Sequence, residues 1–219
     1  MQQLSEENNF IYLTIALILL LLVGAVVQQY PTDFRQFIIP IFTVITLAIG
    51  LIGFKSSTIW FRSSLGIIAL LIIILFFSLL LKVAGMNYLH LGLLVGYFSW
   101  ATWLALQQVL LTGRDVNGNK MIGAICIYLL IGLIWTLLYL AIAEAMPQAF
   151  HGLKQQAWFK NFADMTYFSY VTLTTLGYGD ISPINPIARF LVFMEAIVGV
   201  FYMAILVASL VGARMSERH

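Results

Sequence analysis

Apolar residues in this chain come in long unbroken runs, not in the short alternations of a soluble fold. Crossing the hydrocarbon core of a bilayer takes about 20 helical residues. Runs of that size recur six times, at roughly 10–29, 37–54, 64–82, 88–111, 120–144 and 187–212. Polar or helix-breaking residues separate them. Tyr30-Pro31-Thr32-Asp33 follows the first run and Lys55-Ser56-Ser57 the second; Lys82 to Asn87, with Gly85, parts the third from the fourth; Gly113 to Lys120 precedes the fifth. Glu6 and Glu7 stand where a signal peptide needs positive charge, and the run behind them exceeds a usual h-region, so a retained first span is expected.

The stretch 145–186 departs from this pattern. It opens on Met146-Pro147, carries His151, Lys154, Lys160 and Asp164, and contains a short amphipathic piece at about 162–174. It is too short and polar for a span, and too apolar for a plain solvent loop. Such a segment can enter a membrane where protein or water, not lipid, surrounds its backbone. The pattern therefore predicts an all-α membrane protein: six transmembrane helices plus a re-entrant pore helix and the irregular segment behind it.

Composition agrees. The 219-residue chain is 62% hydrophobic and 9% charged, too little charge to cover a soluble surface. A net charge of +2, scattered along the chain, gives no nucleic-acid footprint. The single cysteine, Cys126, lies in an apolar run and reads as a packing residue. His90, His151 and His219 are far apart and suggest no metal cluster. With both termini placed in the cytoplasm, the inner side holds six basic residues (Lys55, Arg62, Arg114, Lys120, Arg214, Arg218), against Arg35 and Lys82 outside. Counting Lys154, Lys160 and Arg189 of the long loop, the ratio is 6 to 5, a weak positive-inside bias.

The candidate chemistry sits at residues 172–180, Thr-Leu-Thr-Thr-Leu-Gly-Tyr-Gly-Asp. An ion that sheds its water needs replacement oxygen ligands, and successive backbone carbonyls supply them if all face inward. That conformation alternates in handedness, and glycine tolerates positive φ. Gly177 and Gly179 sit two apart, as the alternation asks. The Thr175 hydroxyl adds oxygens at the inner end, while Leu176 and Tyr178 are expected to point away and pack the strand from behind.

Here the sequence resembles the tetrameric potassium channels, whose filter loop reads TVGYG; Leu176 stands where that pattern has valine. The resemblance covers about 160–213: pore helix, filter and inner helix. It implies K+ binding at Thr175, Leu176, Gly177, Tyr178 and Gly179, with K+ as the permeant ion and no cofactor. Asp180 falls at the outer mouth, where it raises local cation concentration, braces the filter by a hydrogen bond, or both. Tyr167 and Phe168 match an aromatic pair that supports the filter. Val171 falls where some members carry a carboxyl that pairs with the outer Asp, so that brace is missing. Gly199 matches a flexible glycine of the inner helix; a hinge and close helix packing are both open for it. Val200, Met203, Val207 and Val211 share the helix face expected to line the pore. Glu195 is a buried-acid candidate, costly in lipid. It is expected to face the pore helix or the back of the filter, protonated or hydrogen-bonded, with pH sensing as an option.

Residues 1–112 form an expected four-helix N-terminal membrane domain and 113–219 the pore domain. The fourth run, Leu89 to Leu111, contains no Lys or Arg, so steep voltage gating through a basic helix is not expected. A scaffold or a sensor for another stimulus fits residues 1–112, and the Gln107-Gln108 pair is expected to bridge helices or bind a ligand. Only Gly212 to His219 follow Val211; gating by nucleotide or calcium would require a separate regulatory subunit. One filter strand per chain implies three further copies around a cyclic axis, set in membrane lipid. The expected function is passive, potassium-selective conduction in a multi-pass protein of a prokaryotic inner membrane, with no enzyme chemistry. A non-selective cation channel, a potassium uptake subunit and a non-conducting partner are the alternatives; a carrier would favour internal repeats, and none is seen.

Overall fold

A computed structural model of the chain describes residues 9–30, 32–53, 65–74, 85–111, 118–153 and 157–216. Lipid offers backbone groups no partners, so chains satisfy them within helices, and nearly every described element is one. In order they are α1 (Asn9–Val27), α2 (Thr32–Gly53), α3 (Leu65–Ile74), α4 (Gly85–Leu106), α5 (Gly118–Ala145), α6 (Phe162–Leu173) and α7 (Pro186–Ser216). A π-helical turn, Gln107–Leu111, ends α4 and starts at the polar glutamine pair.

Among the described residues, four helices are long and apolar enough to cross a membrane: Phe10–Val27, Gly85–Val109, Gly118–Ala145 and Pro186–Ser209. The second and third runs appear as shorter apolar helices, Gln36–Gly50 and Leu65–Ile74; residues 75–82 of the third run, and the domain boundary at 112–113, lie outside the described residues. The expectation of a purely helical chain needs one amendment. Phe150–His151 (β1) pairs antiparallel with Ser182–Pro183 (β2), Phe150 opposite Pro183 and His151 opposite Ser182. This two-residue ladder fastens the start of the long loop to the segment just after the glycines.

Helix α5 is the hub, touching α1, α4, α6 and α7. Leu17 and Leu20 of α1, Leu91, Leu94 and Phe98 of α4, and Leu130, Leu133 and Leu137 of α5 join one buried cluster. Small residues set the approach of helices where there is no hydrophobic drive between them. A Cβ at Gly132 would stand 2.6 Å from the Tyr170 ring of α6, and one at Gly24 3.0 Å from the Phe162 ring. Glu144 joins the two halves: its carboxylate accepts from Asn87 Nδ2 at 2.7 Å and from the Trp158 backbone N–H at 3.0 Å, and its carbonyl accepts from Tyr88 Oη at 3.0 Å. Gln28, just past α1, donates to Asp164 in the first turn of α6.

Candidate functional site

Helix α6 ends at Leu173, and its last carbonyls turn the chain. Thr174 Oγ1 donates to Tyr170 O at 2.7 Å, and the Thr175 N–H reaches Thr172 O at 2.9 Å. The N–H groups of Leu176 and Gly177 both fold back onto Val171 O, at 2.9 and 3.3 Å. Val171, which lacks a carboxyl to offer, thus supports the strand through its backbone oxygen. Among the described residues, none of the loop hydrogen bonds is accepted by a carbonyl of Thr175 to Gly179. The N–H groups of Thr175, Leu176 and Gly177 are thus used on carbonyls of the preceding helix.

The backbone alternates as the glycine spacing predicts. Gly177 has φ 58° and Gly179 φ 82°; Thr175, two residues earlier, also has positive φ, at 60°. Sequence reasoning did not single out Thr175 for this. A β-branched residue at positive φ is strained, and such strain persists only where the surroundings over-determine it; here they are the hydrogen bonds to α6 on either side of it.

The side chains around the strand divide between near and far. Tyr178 stacks on Tyr167, with ring centroids 6.3 Å apart and planes 6° from parallel. The Tyr167 hydroxyl is also hydrogen-bonded to Asp180. Phe168 points elsewhere, into a cluster with Tyr139 at 5.2 Å and Phe150 at 5.6 Å. Its ring thereby packs α6 against α5 and β1. Leu176 and Tyr178 remain 56% and 67% exposed within one chain, so among the described residues little of the packing expected behind the strand is supplied beyond the Tyr167 ring. Gly152 lies against the far end: a Cβ there would stand 2.2 Å from Asp180 O.

Helix α7 crosses the end of α6 at Gly199. A Cβ at Gly199 would meet Leu173 O at 2.2 Å, and that carbonyl also accepts from Tyr128 Oη at 3.3 Å. Close packing is therefore a sufficient reason for this glycine. Val200, Met203 and Val207 are exposed in the single chain, as are Phe190, Phe193 and Phe201; the Val211 side chain lies outside the described residues. Most of Pro186–Ser209 is not buried within one chain.

Glu195 faces inward from α7 and is completely buried. Tyr139 Oη of α5 lies 2.5 Å from its Oε2, and Ser169 Oγ of α6 lies 2.6 Å from its Oε1. Ser169 Oγ also lies 2.8 Å from Gly132 O of α5. Neither Ser169 nor Tyr139 was picked out from sequence; a hydroxyl on a short apolar helix was the available signal. Cys126 is buried and free, as a packing residue would be. Among the described residues no group of His, Cys, Asp and Glu could hold a metal ion.

Comparison with known proteins points to the same half of the chain. No solved structure matches it. A relative, the inward rectifier potassium channel Kirbac3.1 of Paramagnetospirillum magnetotacticum, is 36% identical over 91 residues. That similarity covers 42% of this chain and 28% of the relative, so this chain spans well under two thirds of the relative's length. The apolar helices make this a membrane protein, and its residues 123–215, which run from α5 through the glycine strand to α7, match the ion channel family Ion_trans_2.

Proposed function

We propose that the protein is a subunit of a potassium-selective channel, with four copies enclosing one pore and K+ passing down its electrochemical gradient. The observation that carries this is the strand from Thr175 to Gly179. Its handedness alternates at Thr175, Gly177 and Gly179, and its N–H groups at 175–177 bond back to α6. Carbonyls released in this way can replace the hydration shell of a dehydrated cation. Helix α6 ends at the inner end of the strand, where its carbonyl-rich terminus favours a cation waiting to enter. The relative's similarity and the channel-family match over 123–215 support the choice of ion and of process.

Fourfold assembly is supported by what one chain leaves bare. The strand is exposed along its length and α7 on most of its surface, whereas one strand cannot encircle an ion. In this arrangement α6 is re-entrant, all six apolar runs cross the membrane, and both termini are cytoplasmic in a prokaryotic inner membrane. Helix α4 offers no basic residue to a transmembrane field, so voltage is not the expected stimulus.

The test is potassium flux into liposomes carrying the purified protein, with sodium for comparison and barium as blocker. Selective flux that barium stops is the expected result; equal sodium and potassium flux would replace the proposal with a non-selective cation channel. Gly177→Ala should abolish selective flux while leaving membrane insertion intact, because a side chain at that positive φ is strained. Parent-like flux from this variant would show that the filter lies elsewhere.

A further inference from the structure

Three helices converge on Glu195, and the hydrogens available there do not suffice for an ionised carboxylate. Serine carries one hydroxyl hydrogen. Ser169 Oγ is within hydrogen-bond distance of two acceptors, Gly132 O at 2.8 Å and Glu195 Oε1 at 2.6 Å. Gly132 O cannot donate. If the serine hydrogen went to Glu195, the serine and glycine oxygens would face each other lone pair to lone pair. If it goes to Gly132 O, the proton between Ser169 and Glu195 must come from Glu195. The second carboxyl oxygen is already supplied by the single hydrogen of Tyr139, 2.5 Å away.

The surroundings point the same way. Glu195 is completely buried within one chain, and an unpaired buried charge is unfavourable. The titratable groups that act with it are the phenols of Tyr128 and Tyr139 on α5 and Tyr170 on α6. Among the described residues its side-chain partners are the hydroxyls of Tyr139 and Ser169, neither of them a cation.

We propose that Glu195 is a neutral carboxylic acid that donates from Oε1 to Ser169 and accepts from Tyr139 at Oε2, and so acts as a positioning residue for the filter. The chain of bonds runs Tyr139 to Glu195 to Ser169 to Gly132, and it fixes α6 between α5 and α7. Ser169 is in the same helix as Val171, whose carbonyl holds Leu176 and Gly177. Loss of the proton would put a charge against the lone pairs of Ser169 and loosen the helix on which the strand is hung. The positioning role rests on α6 being the pore helix of a potassium pore; the protonation state does not.

Glutamine mimics the acid, with an NH2 to donate to Ser169 and a carbonyl to accept from Tyr139. The first experiment is therefore infrared difference spectroscopy of the purified protein against Glu195→Gln, near neutral pH. A protonated-carboxyl C=O band present in the parent and absent in the variant is expected; its absence from the parent overturns the proposal even if no ion is ever seen to flow. The second is potassium flux across pH. Glu195→Gln should conduct like the parent, and Glu195→Ala should lose on the order of tenfold. Parent flux should fall on the alkaline side while that of the glutamine variant stays level. A fall on the acid side, with Glu195→Gln impaired, would mean a working carboxylate and refute the assignment. Should Glu195→Gln not assemble, Ser169→Ala replaces it: removing the acceptor should move the acid band to higher wavenumber, and an unmoved band would count against the bond to Ser169. If the parent carries the band but no selective potassium flux, the pore reading fails and the protonated acid stands.

Discussion

Removing the hydroxyl of Tyr167 is the smallest change expected to reach the proposed filter. Tyr167→Phe keeps the ring stacked on Tyr178 but releases Asp180. Potassium selectivity should survive, while the conducting state becomes shorter-lived, read as briefer open bursts in single-channel records. Asp180→Asn weakens the same contact from the other side. The double variant should therefore be little worse than either single one, as for two groups sharing one interaction. Additive effects would show that Asp180 works mainly through its charge at the mouth. Tyr167 and Phe168 are adjacent and so lie on different faces of a helix; an aromatic pair is visible in sequence, but not which member stacks on Tyr178. Thr175 is a similar case. Its place in the motif was legible, whereas its positive φ goes with its own bond to Thr172 and with those of its neighbours Thr174 and Leu176 to Tyr170 and Val171.

Between helices, Gly199 separates two explanations of the same residue. If α7 needs a hinge there, alanine should stiffen it and stabilise the helix by about 1 kcal/mol. The contact with Leu173 O predicts the reverse. Overpacking costs roughly 1–3 kcal/mol, so Gly199→Ala should lower the unfolding temperature in detergent and shift the end of α6. A raised unfolding temperature would favour the hinge. Long apolar runs made α1, α4, α5 and α7 legible, because lipid requires length and continuity before anything else. The short amphipathic piece before the glycines was legible too, and appears as α6. The β1–β2 ladder was not: two residues per strand leave no alternation to detect. Nor was the seat of Glu195, since an acid in an apolar run announces burial but not its partners on α5 and α6.

At the scale of the molecule, polar contacts join the N-terminal helices to the rest. Glu144 gathers Asn87, Tyr88 and Trp158, and Gln28 reaches Asp164 at the start of α6. Helix α1 therefore touches both the hub helix and α6, which precedes the glycine strand. This contact joins α1 to α6 directly, without α7 between them.

In the proposed pore each chain brings a single filter strand, and this sets how a mixed population fails. On the proposed four-chain pore, cells making parent and Gly177→Ala subunits in equal amounts assemble only about one pore in sixteen from parent copies alone. If one faulty strand spoils the ring, potassium flux should fall by about that factor rather than by half, a dominant-negative dose response. A flux reduced only by half would mean that chains do not mix, or that each conducts alone.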